Sequence, residues 1–151
     1  LAVIAAGIGL AACNTATSNL STAPAPGASI SAPPVAVNVV ELPGNWGLGS
    51  YHRDEDRART EAAARAACGN PYTIGQGSGG GVIMHLPDQT QPSEVFVKTT
   101  SDGRSFIGPQ GPPGLQQDRV VTYFQNGVLI TKWVDPNIAS RYGTMILVKC
   151  A

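Results

Sequence analysis

The dipeptide Asn126-Gly127 lies between two runs of strand-forming residues, 119–125 and 128–134. A two-residue hairpin turn of type I′ needs positive φ at both central positions, which Asn followed by Gly adopts at least cost. This turn commits the chain to an antiparallel sheet. It predicts Phe124 opposite Leu129, Thr122 opposite Thr131 and Val120 opposite Trp133 on one mostly large, apolar face. The other face holds Val121, Tyr123, Ile130 and Lys132, so the Phe124/Leu129/Trp133 side is expected to be core. Further strands are read at 82–86, 94–99 and 144–150, with a short apolar piece at 105–107. In the last strand Ile146, Val148 and Cys150 point one way, and Met145, Leu147 and Lys149 the other.

A helix is predicted over 53–68. Asp54, Glu55 and Asp56 cluster at its start, where the helix dipole favours anions. Glu55/Arg59 and Glu61/Arg65 stand four apart in the favourable order. Ala58, Ala62, Ala63, Ala66 and Ala67 bring helix propensity and a small, flat face suited to close approach to a sheet. Gly69 and then Pro71 end it. The expected fold is therefore α+β, with one helix packed on an antiparallel sheet of four to six strands. Asp135-Pro136 reads as a strand break followed by a loop through Arg141-Tyr142-Gly143.

Lys+Arg and Asp+Glu balance at ten each, and charged residues make up only 13% of the chain. No basic stripe favours nucleic acid. The glycine-rich stretch 75–81 has no lysine and precedes a strand, not a helix, so it is a turn and not a phosphate cradle. Gly108-Pro109-Gln110-Gly111-Pro112-Pro113-Gly114 is too short for a collagen helix and reads as a rigid, exposed loop. There is no CxxC or Cys/His cluster, so no metal is expected. His52 and His85 are the only histidines. With no G-x-S-x-G or HExxH pattern, no catalytic residue is assigned. Trp46, Tyr51, His52 and Tyr142 are a possible partner surface.

The amino-terminal segment carries a different kind of information. Residues 1–12 form an apolar run, too short to span a membrane (about 20 residues) but suited to the apolar middle of a signal peptide (~7–15). The run ends in Leu10-Ala11-Ala12-Cys13, which resembles the lipobox of a bacterial lipoprotein, with the sequence starting inside the signal. That resemblance implies cleavage before Cys13 and acylation of its thiol and amino group, the covalent lipid being the only cofactor expected. Two or more acyl chains make anchoring stable. Asn14 after the cysteine points, by analogy with enterobacterial sorting, to the outer membrane. Residues 13–41 then read as lipidated cysteine plus an Ala/Pro/Ser-rich tether, uncharged from 14 to 40. A flexible coil of about 27 residues spans roughly 30 Å. Residues 42–151 form the folded domain.

With Cys13 lipidated and the chain exported, Cys68 and Cys150 are expected to pair. The bond would close a loop of about 80 residues, worth roughly 4–5 kcal/mol in the chain-entropy model. It also requires Ile146 and Val148 to face the helix. Asn45-Trp46-Gly47-Leu48-Gly49-Ser50-Tyr51-His52, Arg57-Ala58-Arg59-Thr60 and Arg141-Tyr142-Gly143-Thr144 resemble segments of small alphaproteobacterial outer-membrane lipoproteins. That resemblance brings no activity or site residues with it. The expected function is that of a lipid-anchored cell-envelope protein, periplasmic or surface-facing, acting through protein contacts in outer-membrane organisation. The alternatives are a periplasmic protease-inhibitor lipoprotein, with 108–114 as the inserting loop, and a hydrolase using His52 or His85 with a serine and a carboxylate.

Overall fold

The computed structural model describes residues 32–151, so Cys13 and most of the expected tether lie outside the described residues. Eight strands follow one another along the chain: β1 (Gly44–Tyr51), β2 (Tyr72–Gln76), β3 (Val82–Met84), β4 (Ser93–Thr99), β5 (Ser105–Gly108), β6 (Arg119–Gln125), β7 (Val128–Trp133) and β8 (Thr144–Lys149). Each pairs antiparallel with its neighbours in sequence, and β8 pairs back onto β1. The result is a closed eight-stranded up-and-down barrel. Two helices accompany it, α1 (Arg57–Ala66) and α2 (Pro136–Tyr142). The expected open sheet of four to six strands with one helix is thus corrected. Closure removes both sheet edges, which an open sheet would have to protect.

The added strands are β1 and β2, of which β1 has the less strand-like composition. In β1, Gly-Asn-Trp-Gly-Leu-Gly-Ser-Tyr, Gly47 and Gly49 are glycine because α1 lies directly on the strand. A Cβ at Gly47 would come 1.7 Å from the Ala64 carbonyl oxygen, and one at Gly49 would come 2.8 Å from Thr60 Cγ2. The helix meets the barrel through Thr60 and Ala64, one turn apart, and not through the predicted alanine stripe. Ala58, Ala62, Ala63 and Ala66 are exposed. Gly47→Val should therefore push α1 off β1 and cost about 2–3 kcal/mol or more, the range for overpacking. Urea denaturation monitored by circular dichroism checks this; a change below about 0.5 kcal/mol would contradict the close contact.

The barrel interior is filled by Leu42, Trp46, Ile74, Val82, Met84, Val95, Ile107, Val121, Leu129 and Leu147, all buried. A second apolar layer lies between barrel and α1, where Tyr51, Val128, Ile130, Ile146 and Val148 pack around Ala64. Ile146 and Val148 accordingly face the helix, and Cys68 is bonded to Cys150 with Cα atoms 5.7 Å apart. Residues 32–39, expected to be tether, pack on the barrel, with Val35, Val37 and Val39 against its interior cluster. Ala32 packs with Phe106 and Val120, and Ser105 Oγ donates to the Val35 carbonyl at 2.6 Å.

The hairpin forms at Asn126-Gly127, but its register departs from the ideal one. Phe124 pairs with Leu129 as expected; then Thr122 bulges, and Val121 pairs with Thr131 and Arg119 with Trp133. A bulge inserts one residue and reverses which side chains face in. Val121 therefore enters the core and Val120 lies outside. Arg119, at the start of β6, shares the inward side with Val121.

One end of the barrel is shut. The Trp46 indole donates to the Leu42 carbonyl at 2.8 Å. Lys149 Nζ sits 4.6 Å from the Trp46 ring centroid and donates to the Glu41 and Pro43 carbonyls at 2.7 and 2.8 Å. The hairpin turn 126–127 and the β2–β3 and β4–β5 turns share this end, as the up-and-down topology requires.

Candidate functional site

At the other end β1, β3, β5 and β7 finish and β2, β4, β6 and β8 begin, and there the barrel is open. β1 pairs with β8 from Trp46 to Tyr51 but with β2 only from Gly44 to Trp46, which leaves its second half without a strand neighbour on one side. The inward side chains of this half look into a cavity of about 530 Å³. Leu48, Met145 and Leu147 form one wall, Leu86 and Pro87 another, and Tyr72, His85, Arg119, Trp133 and Tyr142 complete it. An eight-stranded barrel is just wide enough either to be filled by side chains or to hold one small ligand. This one is filled at the shut end and hollow at the open end. Leu48, 38% exposed, is one of only two large apolar side chains among the described residues that are clearly exposed, and it lies on the cavity wall.

The rim is held by a clamp between the β3–β4 loop and α2. The Arg141 guanidinium donates two hydrogen bonds to the Asp88 carboxylate, at 2.6 and 2.8 Å, and the Tyr142 hydroxyl donates a third at 2.6 Å. The helix that presents them starts where Asp135 Oδ1 accepts the Asn137 and Ile138 N–H groups and Pro136 occupies the first turn. The Arg141 hydrogen bonds, and then that of Tyr142, lower the Asp88 carboxyl from 3.8 to about 2. A carboxyl depressed in the folded state holds its interaction above its unfolded pKa and loses it as pH falls through the folded one. The clamp should therefore be intact above about pH 4 and open as pH falls towards 2. Tyr142 stacks beside Trp133 with ring centroids 6.1 Å apart, so Trp emission should report the opening. Emission unchanged to pH 2 would contradict it.

Arg119 is the unusual member of the lining. It is 5% exposed, and its guanidinium lies over the Trp133 ring, 4.5 Å from the centroid. Of its five N–H donors, Nη2 reaches the His85 carbonyl oxygen at 2.8 Å. Nε is buried with no acceptor among the described residues, and so is the neighbouring indole Nε1 of Trp133. Burial pushes the Arg119 guanidinium down to about 10, so it remains a cation at neutral pH. Sequence reasoning passed over this residue because the unbulged register turns it away from the core. The one signal present was an arginine heading an otherwise apolar strand.

The residues singled out from sequence are scattered. Trp46 is buried at the shut end and Tyr51 under α1, so neither belongs to a partner surface. His52 is exposed beyond β1, and only Tyr142 of the four reaches the cavity. His85 does line it. Its backbone N–H donates to the Tyr72 hydroxyl at 2.9 Å, and its Nδ1 lies 3.4 Å from the same oxygen. No serine or cysteine is among the lining residues. In the glycine-rich turn, the N–H groups of Gly79 and Gly81 donate to Glu94 Oε1 at 2.7 and 2.9 Å. The chain's own carboxylate thus takes the donors a phosphate would need. Among the described residues no group of three or more His, Cys, Asp or Glu side chains is placed to hold a metal. No described helix is long and apolar enough to cross a membrane.

Compared with protein-family models, curated proteins and solved structures, the chain matches none.

Proposed function

We propose that this chain is a lipid-anchored binding protein of the bacterial cell envelope, and that the open end of its barrel takes one small ligand with a largely apolar body. The observation that carries the reading is the hollow, apolar mouth of a barrel whose other end is covered by Leu42, Trp46 and Lys149. Its volume falls within the ~300–1,000 Å³ usual for small-molecule sites, and an apolar lining with a few convergent polar groups is the usual make-up of such sites. The role proposed is binding, with the Tyr72 hydroxyl beside His85 engaged by the His85 backbone N–H.

The lipobox at Cys13 and the Cys68–Cys150 bond support an exported, anchored protein. Cys13→Ser should release the protein from the membrane fraction with its domain folded; variant protein that still pelleted with membranes would overturn the anchoring. For the cavity, the neutral dye N-phenyl-1-naphthylamine should brighten on saturable, one-to-one binding to the full chain. Leu48→Trp, which fills the cavity from its exposed wall, should weaken the dye at least tenfold without lowering Tm. Absence of saturable binding would overturn the site.

A second reading, contact with a partner protein such as a protease, has one observation in its favour. The exposed loop at 110–114 is held from beneath by a buried ion pair, Lys98–Asp118, and is thus presented in one conformation. Slowing of any protease in a broad panel, lost on deletion of 110–113, would support it; no inhibition would remove it.

A further inference from the structure

Resting on the reading of the cavity as a ligand site, we infer that its ligand is an organic monocarboxylate with an apolar body, the carboxylate seated on Arg119 and the carbon body against Leu48, Leu86, Met145 and Leu147. The first ground is a missing counter-ion. A buried guanidinium normally lies against a carboxylate, because removing an unpaired ion from water costs several kcal/mol. Arg119 forms no ion pair with any described carboxylate. The acid on the cavity rim, Asp88, is already saturated by Arg141 and Tyr142. The one buried acid among the described residues, Asp118, is taken by Lys98 and by the N–H groups of Gly114 and Leu115.

The second ground is the donors left over. Arg119 Nε and Trp133 Nε1 are both buried and both without acceptors. They sit on residues directly opposite each other across β6 and β7, in the wall of one cavity. Orphaned buried N–H groups are rare and costly, and here two of them, one carrying charge, share a wall. An anionic oxygen satisfies a guanidinium with short, charge-assisted hydrogen bonds. The third ground is the rest of the lining, in which Leu48, Leu86, Pro87, Met145 and Leu147 are apolar and Arg119 is the one Lys or Arg side chain. A single negative charge on a hydrocarbon body matches this, whereas a phosphate dianion would keep much of its charge uncompensated.

The test is displacement of the naphthylamine dye from the full-length Cys13→Ser chain by decanoate, decanol and decyl phosphate at pH 7. Decanoate should displace the dye about ten- to hundredfold better than decanol, the worth of a charge-assisted hydrogen bond. Arg119→Gln should bring the decanoate-to-decanol ratio close to one. Should Arg119→Gln fail to fold, Trp133→Phe, which keeps an aromatic under the guanidinium but removes the indole N–H, should narrow the ratio several-fold. Equal displacement by decanoate and decanol, or a ratio that survives Arg119→Gln, would overturn the carboxylate assignment and leave the apolar site standing. Tighter binding of decyl phosphate than of decanoate would overturn it in favour of a phosphate head group. Failure of the dye to bind would overturn both the assignment and the site.

Discussion

Asp118→Ala is expected to remove about 3–5 kcal/mol of stability, the usual cost of stripping one partner from a buried ion pair. Asp118 is fully buried and Lys98 nearly so, with Nζ and Oδ1 2.7 Å apart. The ammonium also donates to the Pro109 and Pro112 carbonyls at 3.0 and 3.1 Å, and the carboxylate accepts the N–H groups of Gly114 and Leu115 at 2.8 and 2.9 Å. Those six groups shape the loop from β5 to β6 from within, together with the Asp118 N–H, which donates to the Leu115 carbonyl at 2.9 Å. Gly108 is part of the same fit, since a Cβ there would lie 1.8 Å from Asp118 Oδ1. Alanine at 118 leaves a buried ammonium without its counter-charge and two N–H groups without acceptors. Urea denaturation should show the loss, and limited proteolysis should cut first between 109 and 117. The double variant Lys98→Met/Asp118→Leu removes both charges and should recover part of the loss, because an apolar replacement of a buried pair is often near neutral. A loss below about 1 kcal/mol for Asp118→Ala would mean that the pair does not organise the loop.

Reduction of Cys68–Cys150 should cost about 2–5 kcal/mol. The bond joins residues separated by 82 positions and fastens the end of α1 to the end of β8. The helix itself buries only Ala64 against the outer layer of the barrel, and the bond is the covalent hold on its end. Loss of protection should therefore begin in α1. In hydrogen exchange with reductant, amides of residues 57–66 should exchange well before those of β7 and β8. Equal protection of helix and strands after reduction would contradict this assignment.

What could be read from sequence followed from how local each determinant is. The Asn126-Gly127 turn, the alternation in β8, the apolar runs of β3 and β4 and the capped helix α1 all carry their cause within a few residues. β1 does not. Gly47 and Gly49 are there for a helix that packs on them from more than ten residues away, and taken alone they read as a loop. Barrel closure was equally hidden, because it rests on pairing of β1 with β8, nearly a hundred residues apart. The helix α2 had legible signals in Asp135 and Pro136, a capping acid followed by proline at the first helical position, but its seven residues carry no periodicity to reinforce them. The candidate site depended on the hardest feature of all. One extra residue at Thr122 decides whether position 119 or 120 faces inward, and no residue near it announces a bulge.

The central claim is that the open end of the barrel is a ligand site with Arg119 and Trp133 in its wall. It is tested most directly by following the indole N–H resonance of Trp133 in an ¹⁵N–¹H correlation spectrum while decanoate is added to the full-length Cys13→Ser chain. That proton is buried and unpaired in the free protein. The account predicts that it moves downfield in a saturable manner as it gains an acceptor, together with the Leu48 and Leu86 amides, while the Trp46 indole at the shut end stays in place. A Trp133 indole resonance that does not move at saturating decanoate, or shifts of Trp46 equal to those of Trp133, would contradict it.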